Sequence, residues 1–174
     1  MDKDVQDNFD EKSAFEDALN EAAEYAAVPK AVTKRIGPTL FETVNNPRSA
    51  TKIFEKEVAD SGWCWPEAIA LLRAEGKKET LKNQCEKFVS FVMGKWYFKG
   101  QLFRAARVVG KRFPCIEISQ GPSRWPCPDH ADYDGLLLPS DTTYLRENPL
   151  RKTLGCKCTF RLINKWEYER MKNQ

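Results

Sequence analysis

Three cysteines and the only histidine of the chain fall in two close pairs, Cys127-Pro-Asp-His130 and Cys156-Lys-Cys158, separated by 25 residues. Thiolate sulfur and imidazole nitrogen are donors that Zn2+ favours, and a structural zinc site fills all four tetrahedral positions with them. Two donors a few residues apart can turn around one ion, and a second pair from another loop then closes the shell. Pro126, Pro128 and Gly155 suit the tight turns this requires. The sequence therefore predicts a centre of Cys127, His130, Cys156 and Cys158 around structural zinc. Three sulfurs and one nitrogen leave no position for water, so such a centre stabilises a fold rather than catalysing a reaction.

Two other chemistries compete for these residues. His130-x-Asp132-x-Asp134-Gly135, with Asp141 further on, partly imitates a calcium loop. It has histidine at the first position, aspartate rather than glutamate at the last, and proline-rich flanks. Cys127 near His130 could also form a nucleophile–base pair. The C-x-C pair argues for metal, because ligation uses all four groups at once. Cys64, Cys85 and Cys115 stand among apolar or aromatic neighbours, as buried thiols do. No G-x-S-x-G elbow, phosphate-binding loop or dinucleotide fingerprint is present.

The elements that must carry this centre can be read from periodicity and punctuation. Phe15, Leu19, Ala22 and Ala26 form one stripe of a helix over 11–27, which Pro29 stops. Pro38, Asn45-Asn46 and Pro47 predict short helices next, with Ser49 capping one that ends at Gly62. Pro66 and Gly76 bracket a helix over 66–75. Leu81, Cys85, Phe88 and Val92 mark another from Lys78 to Met93, with Gly94 as its cap. Residues 115–119 and 159–163 alternate as strands do, and 164–174 suit a short helix. The fold class expected is α+β: a helical body over 1–112 and a zinc-stabilised β-hairpin unit over 113–174.

Charge is divided along the chain. Residues 1–27 hold nine acids and two bases, whereas the remainder holds 26 bases and 16 acids. Such an acidic lead can shield a basic surface. From Lys87 to Ile116 there are seven bases and no acid, interleaved with Trp96, Tyr97, Phe98, Phe103 and Phe113. Lys95, Lys99, Arg104, Arg107, Lys111 and Arg112 are the candidate contacts to nucleic acid or to a partner. The competing view is a core element with inward aromatics and snorkelling cations. Trp63, Trp65, Trp96, Tyr97, Phe98, Trp125, Tyr144, Trp166 and Tyr168 are candidate interface anchors. With 41% hydrophobic residues the chain can build a core, yet no apolar run approaches the ~20 residues of a membrane span. The acidic start carries no secretory signal, which suggests a reducing, cytoplasm-like compartment.

The order Cys115-Ile-Glu-Ile-Ser119, Cys127-Pro-Asp-His130, Asp134-Gly135, Pro139-Ser-Asp141, then Gly155-Cys-Lys-Cys158 and Thr159-Phe-Arg-Leu-Ile163 resembles the C-terminal end of phage minor head proteins. These form the head-morphogenesis family related to the F protein of phage Mu. His130 stands where that family has cysteine, and Arg151-Lys-Thr-Leu154 replaces its proline-histidine lead-in. The resemblance implies a non-enzymatic virion protein in the phage head or host cytoplasm. It would contact portal or capsid subunits, with packaged DNA as a further contact, and no membrane. The alternatives are a zinc-containing nucleic-acid-binding regulator and an enzyme such as a toxin-like nuclease or transferase.

Overall fold

The computed structural model describes residues 9–108, 112–121, 127, 129–140 and 143–173. Asp10 opens α1 (Glu11–Tyr25) by accepting the N–H groups of Lys12 and Ser13 at 3.1 and 3.0 Å. Its apolar stripe, including Phe15, Leu19 and Ala22, is buried.

The short helices expected next are corrected. One helix, α2 (Lys30–Thr43), runs through Pro38. A proline inside a helix forfeits the hydrogen bond to the residue four positions earlier. Here both Pro38 and Lys34 are exposed, so the freed carbonyl lies on the solvent side. The buried stripe of Val32, Ile36 and Leu40 holds the two halves as one helix. The cap of α3 (Pro47–Val58) is Asn46 rather than Ser49. Its side chain accepts the Ser49 N–H at 3.2 Å, and Pro47 takes the first helical position. Helix α4 (Pro66–Ala74) follows, and Gly76 turns the chain with a positive φ of 68°.

Gly94 does not stop the next helix. Helix α5 runs 28 residues, from Leu81 to Val108, with Gly94 and Gly100 inside it. Each internal glycine costs about 1 kcal/mol. Burying Phe98 beyond Gly94 returns roughly 2–3 kcal/mol, so continuation wins.

The strands expected at 115–119 and 159–163 form as β1 (Cys115–Ser119) and β3 (Thr159–Ile163). They pair antiparallel from Cys115↔Ile163 to Ser119↔Thr159. The expected hairpin is instead a three-stranded sheet of order β2-β1-β3. Strand β2 (Leu137–Pro139) lies on the edge, where its proline needs no ladder donor. Helix α6 (Thr143–Glu147) and the cysteine loop separate β2 from β3, and α7 (Lys165–Lys172) ends the chain. The fold is thus a mainly helical α+β one.

Two apolar cores meet along α5. Phe88, Val89 and Val92 belong to the core of α1–α4 with Phe54, Trp63 and Trp65. Phe98 and Ala105 belong to a second core with Ile116, Ile118, Leu145, Leu150 and all three paired cysteines, Cys127, Cys156 and Cys158. Burial of Trp63, Trp65 and Phe98 corrects their expected role as interface anchors. Trp166 and Tyr97 remain outside, 83% and 57% exposed. Among the described residues no helix is long and apolar enough to cross a membrane.

Candidate metal centre

The end of β1 and the loop before β3 bring the two pairs together. Gly121 makes this approach possible. A Cβ on it would lie 2.2 Å from the carbonyl oxygen of Lys157, inside the C-x-C pair. Gly155 has open space around it and no positive φ, so the expected turn requirement there is not met. The left-handed residue of this loop is Arg151, with φ 62°.

The donor atoms of Cys127, His130, Cys156 and Cys158 all lie within 4.8 Å of one another, and all four residues are buried. His130 Nδ1 sits 3.4 Å from the Sγ of Cys127 and 3.4 Å from the Sγ of Cys156. Metal–sulfur and metal–nitrogen bonds of about 2.3 and 2.0–2.1 Å at tetrahedral angles imply an S···N edge of about 3.6 Å. One imidazole nitrogen can share a single proton with a single sulfur. Two sulfurs equally near it suit a common cation better than one hydrogen bond. These four residues are positioned to hold a metal ion.

Backbone and side-chain donors fix this arrangement. Arg151 N–H donates to Cys156 Sγ at 3.2 Å, and Arg151 Nε–H donates to the Cys158 carbonyl at 2.9 Å. Gln120 clamps the first pair. Its Oε1 accepts the Cys127 N–H at 3.3 Å, and its Nε2 donates to the carbonyls of His130 and Ala131 at 3.3 and 2.9 Å. Thr153 Oγ1 bonds the Asp129 carboxylate, joining the two loops. Neither Gln120 nor Arg151 was flagged by sequence reasoning, because a clamp of this kind has no spacing signature.

Burial lowers the proton affinity of His130, which Asp129 opposes and Lys152 reinforces. Imidazole is therefore neutral, its ligating form. Burial pushes the Cys156 and Cys158 thiols up, and the neighbouring sulfurs add to this. Thiolates at these positions need a nearby cation, which displaces their protons on binding.

Compared with models of known families, with curated proteins and with solved structures, the chain finds no significant match. The donor set of the site is sulfur and nitrogen, which suits zinc and not calcium. Asp134 of the calcium-like pattern instead accepts the Gln120 N–H at 2.8 Å, and Asp132 is exposed. Asp141 lies outside the described residues, as do Trp125, Pro126 and Pro128. Cys85 is fully buried in the helical core, and burial pushes its thiol up to about 12.

The basic segment divides. Lys95 is buried and meets Glu21 of α1 at 3.2 Å, and Lys99 meets the same carboxylate at 2.7 Å. As candidate contacts to nucleic acid these two are corrected: they hold α1 on α5. Trp96 Nε1–H likewise donates to the Glu11 carbonyl at 3.1 Å. Helix α1, the described part of the acidic lead, thus docks on the chain's own basic helix through Glu21 and the Glu11 carbonyl. Arg104, Arg107 and Arg112 are exposed and make no ion pair among the described residues. The first two stack over Tyr97 and Phe103. Lys111 lies outside the described residues.

Proposed function

We propose that this chain is a non-enzymatic structural protein whose C-terminal unit is held by one structural Zn2+. It works through protein–protein contacts as a phage head component near portal or capsid. The observation that carries the zinc reading is the buried set of three sulfurs and one nitrogen around His130 Nδ1. A shell of four protein ligands leaves no position for substrate or water. The resemblance of residues 115–163 to the end of minor head proteins supports the phage setting. Exposed Trp166 supports a partner contact, since tryptophan is a frequent interface anchor.

Native mass spectrometry of the reduced chain tests the metal, and co-purification with portal or capsid subunits tests the setting. One zinc per chain and retention on head subunits are expected. A metal-free chain overturns the zinc reading, and a chain that ignores head subunits overturns the phage one.

The second reading, a zinc-containing nucleic-acid-binding regulator, is favoured by Arg104, Arg107 and Arg112, which lack acid partners among the described residues. Steeply salt-dependent retention on DNA separates it from the first.

A further inference from the structure

We infer that the cleft between α5 and the metal unit binds a carboxylate carried beside an apolar side chain on a partner protein. This rests on the reading that the chain acts through protein contacts, and it names the chemistry of one of them.

The cleft has a volume of about 220 Å³ and is lined by Leu71, Ser90, Phe91, Gly94, Arg151 and Lys157, among others. That is below the roughly 300 Å³ at which small-molecule pockets begin. It suits a pair of side chains better than a nucleotide. Leu71 and Phe91 give it an apolar floor. Its charged lining residues are all cations, and the third of them, Lys87, is already engaged by Glu75 at 2.7 Å.

Arg151 is the built part of the site. Its backbone is held left-handed, and its Nε is fixed on the Cys158 carbonyl. Its Nη atoms make no hydrogen bond among the described residues. A guanidinium fixed by one edge has already lost much of its rotamer freedom, and its free donors suit a carboxylate. The Arg151 side chain lies over Gly94, its Nη1 3.7 Å from where a Cβ there would stand. With zinc bound, three thiolates outweigh the dication by one charge. Arg151 and Lys157 together exceed that deficit, so the cleft stays positive. Arg151 is tied to the metal unit through the Cys156 sulfur and the Cys158 carbonyl, so the anion site and the metal unit share one loop.

The test is an amide NMR titration of the full zinc-loaded chain with N-acetyl-leucyl-glutamate. Saturating shifts are expected at Ser90, Phe91, Gly94, Arg151 and Lys157. Lys157→Gln should weaken binding at least fivefold. Ser90→Glu, which places a carboxylate in the cleft, should abolish it. Arg151→Lys keeps the charge, loses the planar fork and should also weaken binding. Should it unseat the metal unit, the two variants at exposed positions still decide. The inference is overturned by an absence of saturating shifts, or by an equal response to uncharged N-acetyl-leucyl-glutamine amide. Inorganic phosphate binding as tightly as the peptide, with Leu71 and Phe91 unmoved, overturns it too. A chain that binds the peptide but ignores head subunits sinks the phage reading alone. A zinc-loaded chain that ignores the peptide sinks this inference alone.

Discussion

The backbone N–H of Arg151 donates to the Sγ of Cys156 across 3.2 Å. Arg151 makes that hydrogen bond from a left-handed backbone of φ 62°, a conformation that costs non-glycine residues about 1–2 kcal/mol. Arg151→Gly and Arg151→Ala both remove the guanidinium and differ in that backbone preference. The glycine variant should be the more stable of the two by about 1 kcal/mol, read from urea unfolding of the zinc-loaded chains. Equal stability would mean that the left-handed turn does not persist in solution.

Gly121 gives a sharper test of the metal unit. Alanine there meets the carbonyl oxygen, carbonyl carbon and Cβ of Lys157, and none of these three atoms can swing aside. Gly121→Ala should lower zinc affinity by about tenfold or more, the scale of losses around metal ligands. Competition with a chelator measures it. Gly155→Ala, with open space around it, serves as the control and should bind zinc as the parent does.

Removing the metal should loosen more than the loops. Phe98 and Ala105 of α5 pack in the same core as Cys127, Cys156 and Cys158. Chelation should therefore speed amide exchange in residues 115–163 and in the later turns of α5. Helices α1–α4 and the α5 turns around Phe88 should keep their protection, because their core contains none of the ligands. Uniform loss of protection along α5 would show that the two cores unfold as one.

Glu21 links stability to acid. Burial raises its pKa, but the hydrogen bonds and charges of Lys99 and Lys95 more than offset this, leaving it below the usual carboxylate value. A depressed folded pKa adds stability that is present above the ordinary carboxylate pKa and is lost as pH falls through the folded one. Glu21→Gln leaves the buried Lys95 without its anion. Because Glu21 is half exposed, the cost at pH 7 should be about 1–2 kcal/mol, below that of a fully buried pair. The gap between parent and variant should shrink as pH drops below the ordinary value. A gap independent of pH would assign the loss to packing.

Much of the fold and of the candidate site is legible in the sequence. The four residues now seen positioned to hold a metal ion were readable as candidates because donor type and spacing are local properties, and β1 and β3 because alternation is. The long α5 was not, since Gly94 is a stop signal that only the second core overrides. Asn46 displaced Ser49 as a cap because Pro47 set where the helix could begin. Lys95 and Lys99 looked free until Glu21, 74 and 78 residues away, was brought beside them. The Gln120 side chain and the Arg151 guanidinium bind backbone groups of other residues, and where those groups lie leaves no mark in residue type.

This pairing changes what salt should do. Six bases touching DNA would give a slope near −5.4, and affinity would fall about 2 × 10³-fold between 50 and 200 mM salt. Lys95 and Lys99 are engaged by Glu21, so the described candidates reduce to Arg104, Arg107 and Arg112. Three phosphate contacts give a slope near −2.7 and a loss of about 40-fold over the same range, and a fourth from Lys111 raises that to about 150-fold. Binding to a head subunit through Trp166 should change far less with salt. Trp166→Ala should leave stability within about 0.5 kcal/mol, because the side chain is 83% exposed. It should cost partner binding about 2 kcal/mol, or some 30-fold, if Trp166 is an anchor. Titrations against DNA and against head subunits at the two salt concentrations separate the readings. A 40-fold or steeper loss on DNA, with no effect of Trp166→Ala on any head subunit, would replace the structural role with the nucleic-acid one.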